Sequence, residues 1–380
     1  MSEYQYYEFQ AIDRPLTVKE TAELRSYSTR ARITPTSFVN DYSWGSFKGD
    51  ADVWMERYFD AHLYLANWGT RVLKLRLPSR VLDLPEAQPY CPGAPASVRV
   101  KDGKVILSWT SEDEDDGEWV EGEGWLSSLI SVRAELARGD LRALYLGWLL
   151  AAQGGELDDE DEEPPVPPGL GQLTASLDGF VEFLRIDEDL LAVAAESSPP
   201  LEERTPNLPE IRQWVAALPA GEKDDLLARL IGGEDSALAS LLLRRFLEAR
   251  DRRSGREADQ AQRRSVGELL GAAEEHAAER RRVAARKAAE EKARREREAA
   301  AAHARHLDSL TGREPKLWSE AETLIATKQP KSYDRAVELL VDLRDLAARE
   351  QKADEFRLRI HALRAEHQRK PSLIERLRRA

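Results

Sequence analysis

The sequence predicts an α+β domain at the N-terminus, followed by all-α modules. Three observations support this fold class: aromatic and apolar residues alternate near the N-terminus, helical periodicities follow, and a long charged segment contains no proline. The predicted domains are an aromatic-rich α+β domain at 1–152, an acidic, Pro-rich linker at 153–169, a helical bundle at 170–250, a long charged helical arm at 256–308 and a helical hairpin domain at 313–380.

Strands are predicted in the N-terminal domain wherever apolar and aromatic side chains alternate. Residues 4–12 and 72–77 show this pattern. Asp102-Gly103 separates two further apolar runs, residues 98–100 and 105–109, and Asp-Gly suits a type I′ turn. The sequence therefore predicts a hairpin there, within a small meandering sheet.

Helices are predicted to interrupt this sheet. Thr17 and Glu20 have the spacing of a capping box, which places a helix start near Val18. An apolar side along residues 52–66 predicts a second helix, with His62 as a hydrogen-bonded core residue. Residues 30–50, between the two helices, are interpreted as a polar loop.

The next two segments differ sharply in composition. Residues 156–168 are acidic and then Pro-rich, which favours a linker without regular structure. From 170 to 250, short apolar periods alternate with caps and tight turns, such as Asn207 with Glu210 and Pro219-Ala220-Gly221. We expect short helices packed into a compact bundle.

The charged arm is the most distinctive segment of the sequence. Between Gly271 and Leu307, the only apolar side chain larger than alanine is Val283, so a helix there has no stripe to bury. Ala, Glu, Arg and Lys favour helix, and i,i+4 pairs such as Glu291–Arg295 each add ~0.2–0.5 kcal/mol. A continuous helix of about 50 residues measures roughly 75 Å. We predict an exposed spacer helix or weak coiled coil, through which the chain can self-associate.

A nucleic-acid contact surface is the alternative interpretation of the arm. Interleaved glutamates offset its positive charge, and it contains no aromatic residue to stack on bases. The candidate contacts are its clustered arginines: Arg280, Arg281, Arg282, Arg294, Arg295 and Arg297.

The C-terminal region predicts a helical hairpin around the turn Lys328-Gln329-Pro330-Lys331. Trp318, followed by Ala336, Leu340 and Leu343, resembles one tetratricopeptide-type hairpin. The register between the two helices is two residues longer than that repeat has, and one hairpin does not form a solenoid.

Composition excludes several classes of protein. The net charge of −13 argues against a generic nucleic-acid binder, although residues 251–380 carry +7 and residues 1–250 carry −20. Cys91 is the only cysteine, so we expect neither a disulfide framework nor a cysteine-based zinc site. No apolar run approaches the ~18 residues of a membrane span, and no signal peptide precedes the first domain, so we predict a cytoplasmic protein without membrane association.

Motifs for catalysis and cofactor binding are absent from the sequence, and we predict no cofactor or metal. His303, His306 and Asp308 have helical spacing suited to a metal, but we interpret them as surface residues. The remaining candidate is the polar loop, whose mixed charges and aromatics suit a partner or ligand, or else pack on the sheet. Its candidate residues are Arg30, Asp41, Trp44, Lys48 and Asp50.

Both ends of the chain resemble known bacterial sequences. Residues 7–16, 41–45 and 58–63 are similar to a family of uncharacterised bacterial proteins, which implies no known activity. Residues 326–346 and 370–372 resemble the C-terminal part of bacterial SWIM zinc-finger proteins. The SWIM zinc site requires three cysteines and one histidine, so this chain departs from that pattern.

Three functions are compatible with these features. The sequence favours a non-enzymatic adaptor whose terminal modules bind protein partners across the arm. The second hypothesis is a nucleic-acid-associated protein that uses its basic C-terminal half. The third is an enzyme of unknown class with a site near Arg30, Asp41, Lys48 and Asp50.

Overall fold

The computed structural model describes residues 4–45, 47–113, 120–201, 207–232, 237–253 and 263–379. The chain forms two compact units, Met1–Glu279 and Arg280–Ala380. The first unit contains an antiparallel sheet and helices, and the second is helical. The predicted α+β region followed by an all-α region is therefore confirmed.

Seven strands of the described residues form one antiparallel sheet in the order β2-β3-β1-β4-β5-β7-β6. The strands are β1 Gln5–Gln10, β2 Arg32–Thr34, β3 Ser37–Tyr42, β4 Ala61–Ala66, β5 Arg71–Pro78, β6 Ala96–Lys101 and β7 Lys104–Ser111. The predicted Asp-Gly hairpin joins β6 to β7, with φ of 49° at Asp102 and 70° at Gly103. Positive φ at both positions is what a type I′ turn requires, so this prediction is confirmed.

The first unit also contains helices, several of which cover the two faces of the sheet. They are α1 Val18–Tyr27, α2 Ala51–Arg57, α3 Leu84–Ala87 with the 3₁₀ turn Gln88–Tyr90, α4 Trp125–Leu129, α5 Ser131–Ala137, α6 Arg142–Gln153, α7 Ala175–Leu184, α8 Glu188–Glu196, α9 Leu208–Ala217, α10 Ala220–Gly232 and α11 Leu238–Arg253. Thr17 and Glu20 form the predicted capping box of α1.

Side-chain alternation along the strands divides the first unit into two cores. On β1, Phe9 belongs to a core that includes Trp54 of α2. Tyr6 points to the other face, where the larger core includes Trp109 of β7 and Phe180 of α7. Since burial of one such large apolar side chain contributes ~1.5–3 kcal/mol, both layers stabilise the sheet.

Residues 52–66 differ from the single helix that their apolar spacing predicts. Only Ala51–Arg57 is helical, and Ala61–Ala66 forms β4 between β1 and β5. The pairing with two neighbouring strands, from distant parts of the sequence, overrides the local pattern. The predicted polar loop at 30–50 likewise contains the paired strands β2 and β3.

The acidic, Pro-rich segment is attached to the first unit and is not a free linker. Glu163 is only 2% exposed, and its backbone N–H donates to the carbonyl of Arg264 at 2.9 Å. Helices α7 and α8 belong to the larger core of the sheet, so the expected separate bundle at 170–250 does not form as one module. Contacts between segments that are distant in sequence produce this arrangement.

Helix α12, Val266–Leu310, contains most of the predicted arm. It continues through Gly267 and Gly271 without a break, whereas residues 256–262 lie outside the described part. Val266, Leu269 and Ala273 are buried in the first unit's larger core, and Leu307 and Leu310 in the second unit's core. The intervening residues are largely exposed, as predicted, but both helix ends pack more closely than we expected.

The second unit consists of short helices around one core. After the end of α12 these are α13 Glu314–Ala326, α14 Pro330–Arg349, α15 Ala353–Glu366 and α16 Pro371–Arg376, with a final 3₁₀ turn at Leu377–Arg379. Helices α13 and α14 follow each other in the chain and share this core. Leu340 and Ile325 are fully buried between them, and Phe356 attaches α15 to the same core.

Candidate functional site

The polar-loop candidates are exposed but do not converge. Trp44 is 80% exposed, and Arg30, Asp41, Lys48 and Asp50 are also at the surface. Asp50 is the N-cap of α2, where its Oδ1 accepts from the backbone N–H groups of Asp52 and Val53. Within the described part of the chain, no side-chain hydrogen bond or ion pair joins two of the five candidates. No such contact therefore brings these described residues together.

Two other aromatic residues of the same segment, Tyr42 and Phe47, pack on the sheet instead. Phe47 stacks on Tyr7, with ring centroids 4.7 Å apart, and also contacts Trp54 at 4.8 Å. Tyr42 meets the edge of Tyr7 at 5.8 Å. The interpretation that this segment packs its aromatics on the sheet therefore holds for Tyr42 and Phe47, whereas Trp44 remains exposed.

Asp60 is a buried carboxylate near this sheet, and its hydrogen-bond partners are structural. Asp60 accepts hydrogen bonds from Arg76 Nε and Nη2 at 3.0 and 2.8 Å, and from the backbone N–H groups of Ile12 and Asp13. Since four donors occupy its two oxygens, Asp60 has little capacity left for a substrate. Arg76 is in turn bound to the carbonyl of Glu56.

His62 is a core residue, as predicted, although it lies on β4 and not on a helix. Its ring stacks on Phe9 with centroids 3.9 Å apart, and its Nδ1 lies 3.0 Å from the carbonyl oxygen of Glu8. Burial lowers the pKa of His62 to about 3. The imidazole is therefore neutral at ordinary pH and donates to that carbonyl.

A second buried network, which the sequence analysis missed, connects three segments of the first unit. Glu163 binds Arg264 through both of its oxygens, at 2.8 and 2.9 Å, and accepts from Tyr145. Arg264 also donates to the carbonyl of Val193 at 3.0 Å. This network holds the acidic segment against the residues that precede α12. A charge pattern alone does not reveal partners this distant in sequence.

The arginines of α12 lie among carboxylates, as their sequence spacing suggested. Arg294 and Arg295 both contact Glu291, at 2.8 and 3.0 Å, and Arg286 lies 3.3 Å from Glu290. The other candidate nucleic-acid contacts, Arg280, Arg281, Arg282 and Arg297, are exposed on the same helix. Pairing within the helix reduces the positive charge that the clusters offer to phosphate groups.

The histidines of the arm contact different carboxylates and do not share a metal site. His303 Nε2 lies 3.3 Å from Asp345, and His306 Nε2 lies 2.9 Å from Asp342. Asp308 accepts from Arg349. Among the described residues, no group of three or more His, Cys, Asp or Glu side chains could hold a metal ion.

Burial raises the pKa of Cys91 to about 12, so its thiol remains protonated.

The strongest candidate for a binding surface lies on α9 and α10. Within the described part of the chain, neither helix has a buried residue, although both are amphipathic. We name as the α9–α10 surface their large apolar side chains with substantial exposure: Leu208 58%, Val215 39%, Leu227 56%, Leu230 53% and Ile231 85%.

Among the described residues, an aromatic pair and an ion pair connect this helix pair to α11. The rings of Trp214 and Phe246 meet edge to face at 5.8 Å, and Arg245 binds Glu222 at 2.7 Å. The apolar periodicity at 207–231 predicted helices correctly, but we expected a bundle core to bury it. The structure instead leaves the apolar side open.

Comparisons with known family models, curated proteins and solved structures give no match to this chain. The resemblance to the SWIM C-terminal part therefore stays a prediction. No described helix is both long enough and apolar enough to cross a membrane.

Proposed function

We propose that this protein is a non-enzymatic adaptor that binds a protein partner through the α9–α10 surface. One observation supports the proposal above the others: α10 exposes Leu227, Leu230 and Ile231 at spacings of three and four residues. These positions share one side of a helix, which is the arrangement of anchors in helix-in-groove recognition.

The free energy of burying apolar side chains favours a partner that covers this surface. Complete burial of one leucine or isoleucine side chain contributes ~1.5–3 kcal/mol. Three neighbouring anchors can therefore supply a large part of an affinity in the micromolar range, which corresponds to about 8 kcal/mol. Clusters of exposed apolar side chains mark interaction sites in folded proteins.

The adaptor proposal also assigns a role to the second unit and to α12. Helix α12 contributes Leu269 to the larger core of the first unit and Leu307 to the core of the second unit. In this proposal the second unit, with its tetratricopeptide-like hairpin, binds another protein segment.

A capture experiment with the intact chain tests the proposal. We expect the wild-type protein to retain a stoichiometric partner from a lysate of its source organism, and the double variant Leu227→Glu, Ile231→Glu to lose it. Val18→Glu is the matched control, because Val18 is 89% exposed on α1. Equal retention by the double variant and the control contradicts the proposal. Light scattering distinguishes a foreign partner from a second copy of the chain.

Nucleic-acid association is the second candidate, and it rests on the net charge of +7 in residues 251–380. Such binding weakens steeply as the salt concentration rises, because it releases counterions from the phosphates. Titration of the intact chain with labelled DNA and RNA at two salt concentrations separates the two functions. Affinity weaker than millimolar at low salt removes this candidate.

A further inference from the structure

The second unit contains a groove between α13, α14 and α15. None of its lining residues belongs to the α9–α10 surface. The cavity measures about 230 Å³. Trp318 and Phe356 form its aromatic part, with ring centroids 5.6 Å apart, and both are more than nine-tenths buried. Leu343 and Leu346 add aliphatic walls.

Acidic side chains surround this aromatic floor. Glu314, Glu350 and Glu355 line the groove together with the cations Lys352 and Arg359. Lys352 is paired with Glu350 at 2.7 Å. Glu314 and Glu355 form no ion pair with a described residue, so the groove retains negative charge that a cation can neutralise.

The structure already places one cation on the aromatic face. The guanidinium carbon of Arg359 lies 4.3 Å from the centroid of the Trp318 ring. Its second contact is Glu322, outside the groove, at 3.4 Å. The face of an indole ring attracts cations, and a guanidinium group can also stack on it. Trp318 is therefore a cation-binding surface that an intramolecular residue occupies.

We propose that this groove binds an arginine side chain from a basic segment of a partner protein, and that the incoming guanidinium displaces Arg359 from Trp318. Arginine fits better than lysine because its planar guanidinium can stack on Trp318 and bind a carboxylate through two N–H groups. The inference extends the adaptor proposal to the second unit, but it does not depend on the α9–α10 surface.

A defined peptide tests the inference with the intact chain. The probe is the acetylated and amidated peptide Ala-Arg-Ala-Arg-Ala, measured by calorimetry and by the indole N–H signal of Trp318. Matched peptides replace both arginines by lysine or by citrulline, which is neutral but similar in shape to arginine. We expect the arginine peptide to bind most tightly and the citrulline peptide least. Equal binding of the arginine and citrulline peptides overturns the proposal.

Two substitutions of opposite effect test the role of each group. Arg359→Met removes the competing cation, and we expect it to tighten binding of the arginine peptide by about threefold to tenfold. The double variant Glu314→Gln, Glu355→Gln removes the two carboxylates that have no ion pair with a described residue, and we expect it to weaken binding by a similar factor. Glu338→Gln is the control, since Glu338 is paired with Arg335 on α14 and does not line the groove.

Thermal unfolding shows whether each variant remains folded. If Arg359 is only a structural contact, Arg359→Met lowers the melting temperature and leaves peptide affinity unchanged or weaker, which contradicts the proposal. Unchanged affinity in the Glu314, Glu355 double variant also contradicts it. The Leu227→Glu, Ile231→Glu variant should bind the peptide normally, so failure of the groove and failure of the α9–α10 surface are distinguishable.

Discussion

At the scale of single residues, the buried polar groups of the first unit act as structural connections. Asp60 is 1% exposed and joins β5 to the segment after β1 through Arg76 and two backbone N–H groups. Glu163 similarly joins Tyr145 to Arg264. Sequence reasoning predicted His62 as a hydrogen-bonded core residue, but it had no means of finding the partners of these groups. Hydrogen-bond partners 16 to 101 residues away depend on the folded chain.

Removal of the Asp60 charge should strongly destabilise the first unit. Asp60→Asn leaves the Arg76 guanidinium buried without its counterion, and breaking a buried pair in this way costs about 3–5 kcal/mol. Chemical denaturation measures the free energy of unfolding. Asp354→Asn is the control, because the Asp354 side chain is 91% exposed and its pair with Arg357 should contribute about 0–1 kcal/mol. Similar losses in both variants contradict a structural role for Asp60.

His62 should make the stability of the first unit sensitive to acid. Its folded-state pKa, about 3, lies below the ordinary value of 6.5, so the unfolded chain binds the additional proton between these two values. The free energy of unfolding therefore falls as pH decreases through this window, by up to about 1.4 kcal/mol per pH unit from this group. Above pH 6.5 the His62 contribution is constant.

A variant isolates this contribution from that of the carboxylates. His62→Gln keeps a hydrogen-bond donor but does not titrate, so its stability should decline less steeply between pH 6.5 and pH 3. Denaturation of both proteins across this range measures the difference. Parallel pH profiles of the wild type and the variant show that His62 does not contribute in this way.

At the scale of elements, the local sequence predicted the type of most helices and strands, and their packing was harder to predict. Residues 52–66 have the apolar spacing of a helix, yet β4 forms because β1 and β5 supply hydrogen bonds on both sides. In contrast, the β6–β7 hairpin depends on a turn of two residues, and the sequence predicted it correctly. Helices α9 and α10 show the same limit, since periodicity locates an apolar side but does not identify what covers it.

Helix α12 offers a direct comparison between a packed and an exposed position on one element. Leu269 is fully buried in the larger core of the first unit, and Val283 is 38% exposed. We expect Leu269→Ala to lower the free energy of unfolding by about 2–5 kcal/mol, and Val283→Ala by less than about 0.5 kcal/mol. Both substitutions create the same residue in the same helix. Equal effects in chemical denaturation would mean that the start of α12 is not anchored.

At the scale of the whole molecule, composition predicted the order of the α+β and all-α regions but not the extent of the first unit. The acidic, Pro-rich segment has the composition of a free linker, yet Glu163 and the start of α12 attach it to the core. Helices α7 and α8 bury Phe180 and Leu190 against the sheet domain. Domain boundaries depend on such long-range contacts. The candidate surfaces were missed for the same reason, because exposure is a property of the folded chain.

The central claim is that the α9–α10 surface contacts a protein partner, and site-specific photo-crosslinking tests it most directly. A benzophenone amino acid placed at position 227 or 231 of the intact chain, with position 18 as the exposed control, reports what lies against each site in a lysate of the source organism. We predict one dominant crosslinked product from positions 227 and 231 that is absent from position 18, either with a second protein or with a second copy of this chain. Crosslinking at 227 and 231 that is no stronger or more specific than at 18 would contradict the proposed function.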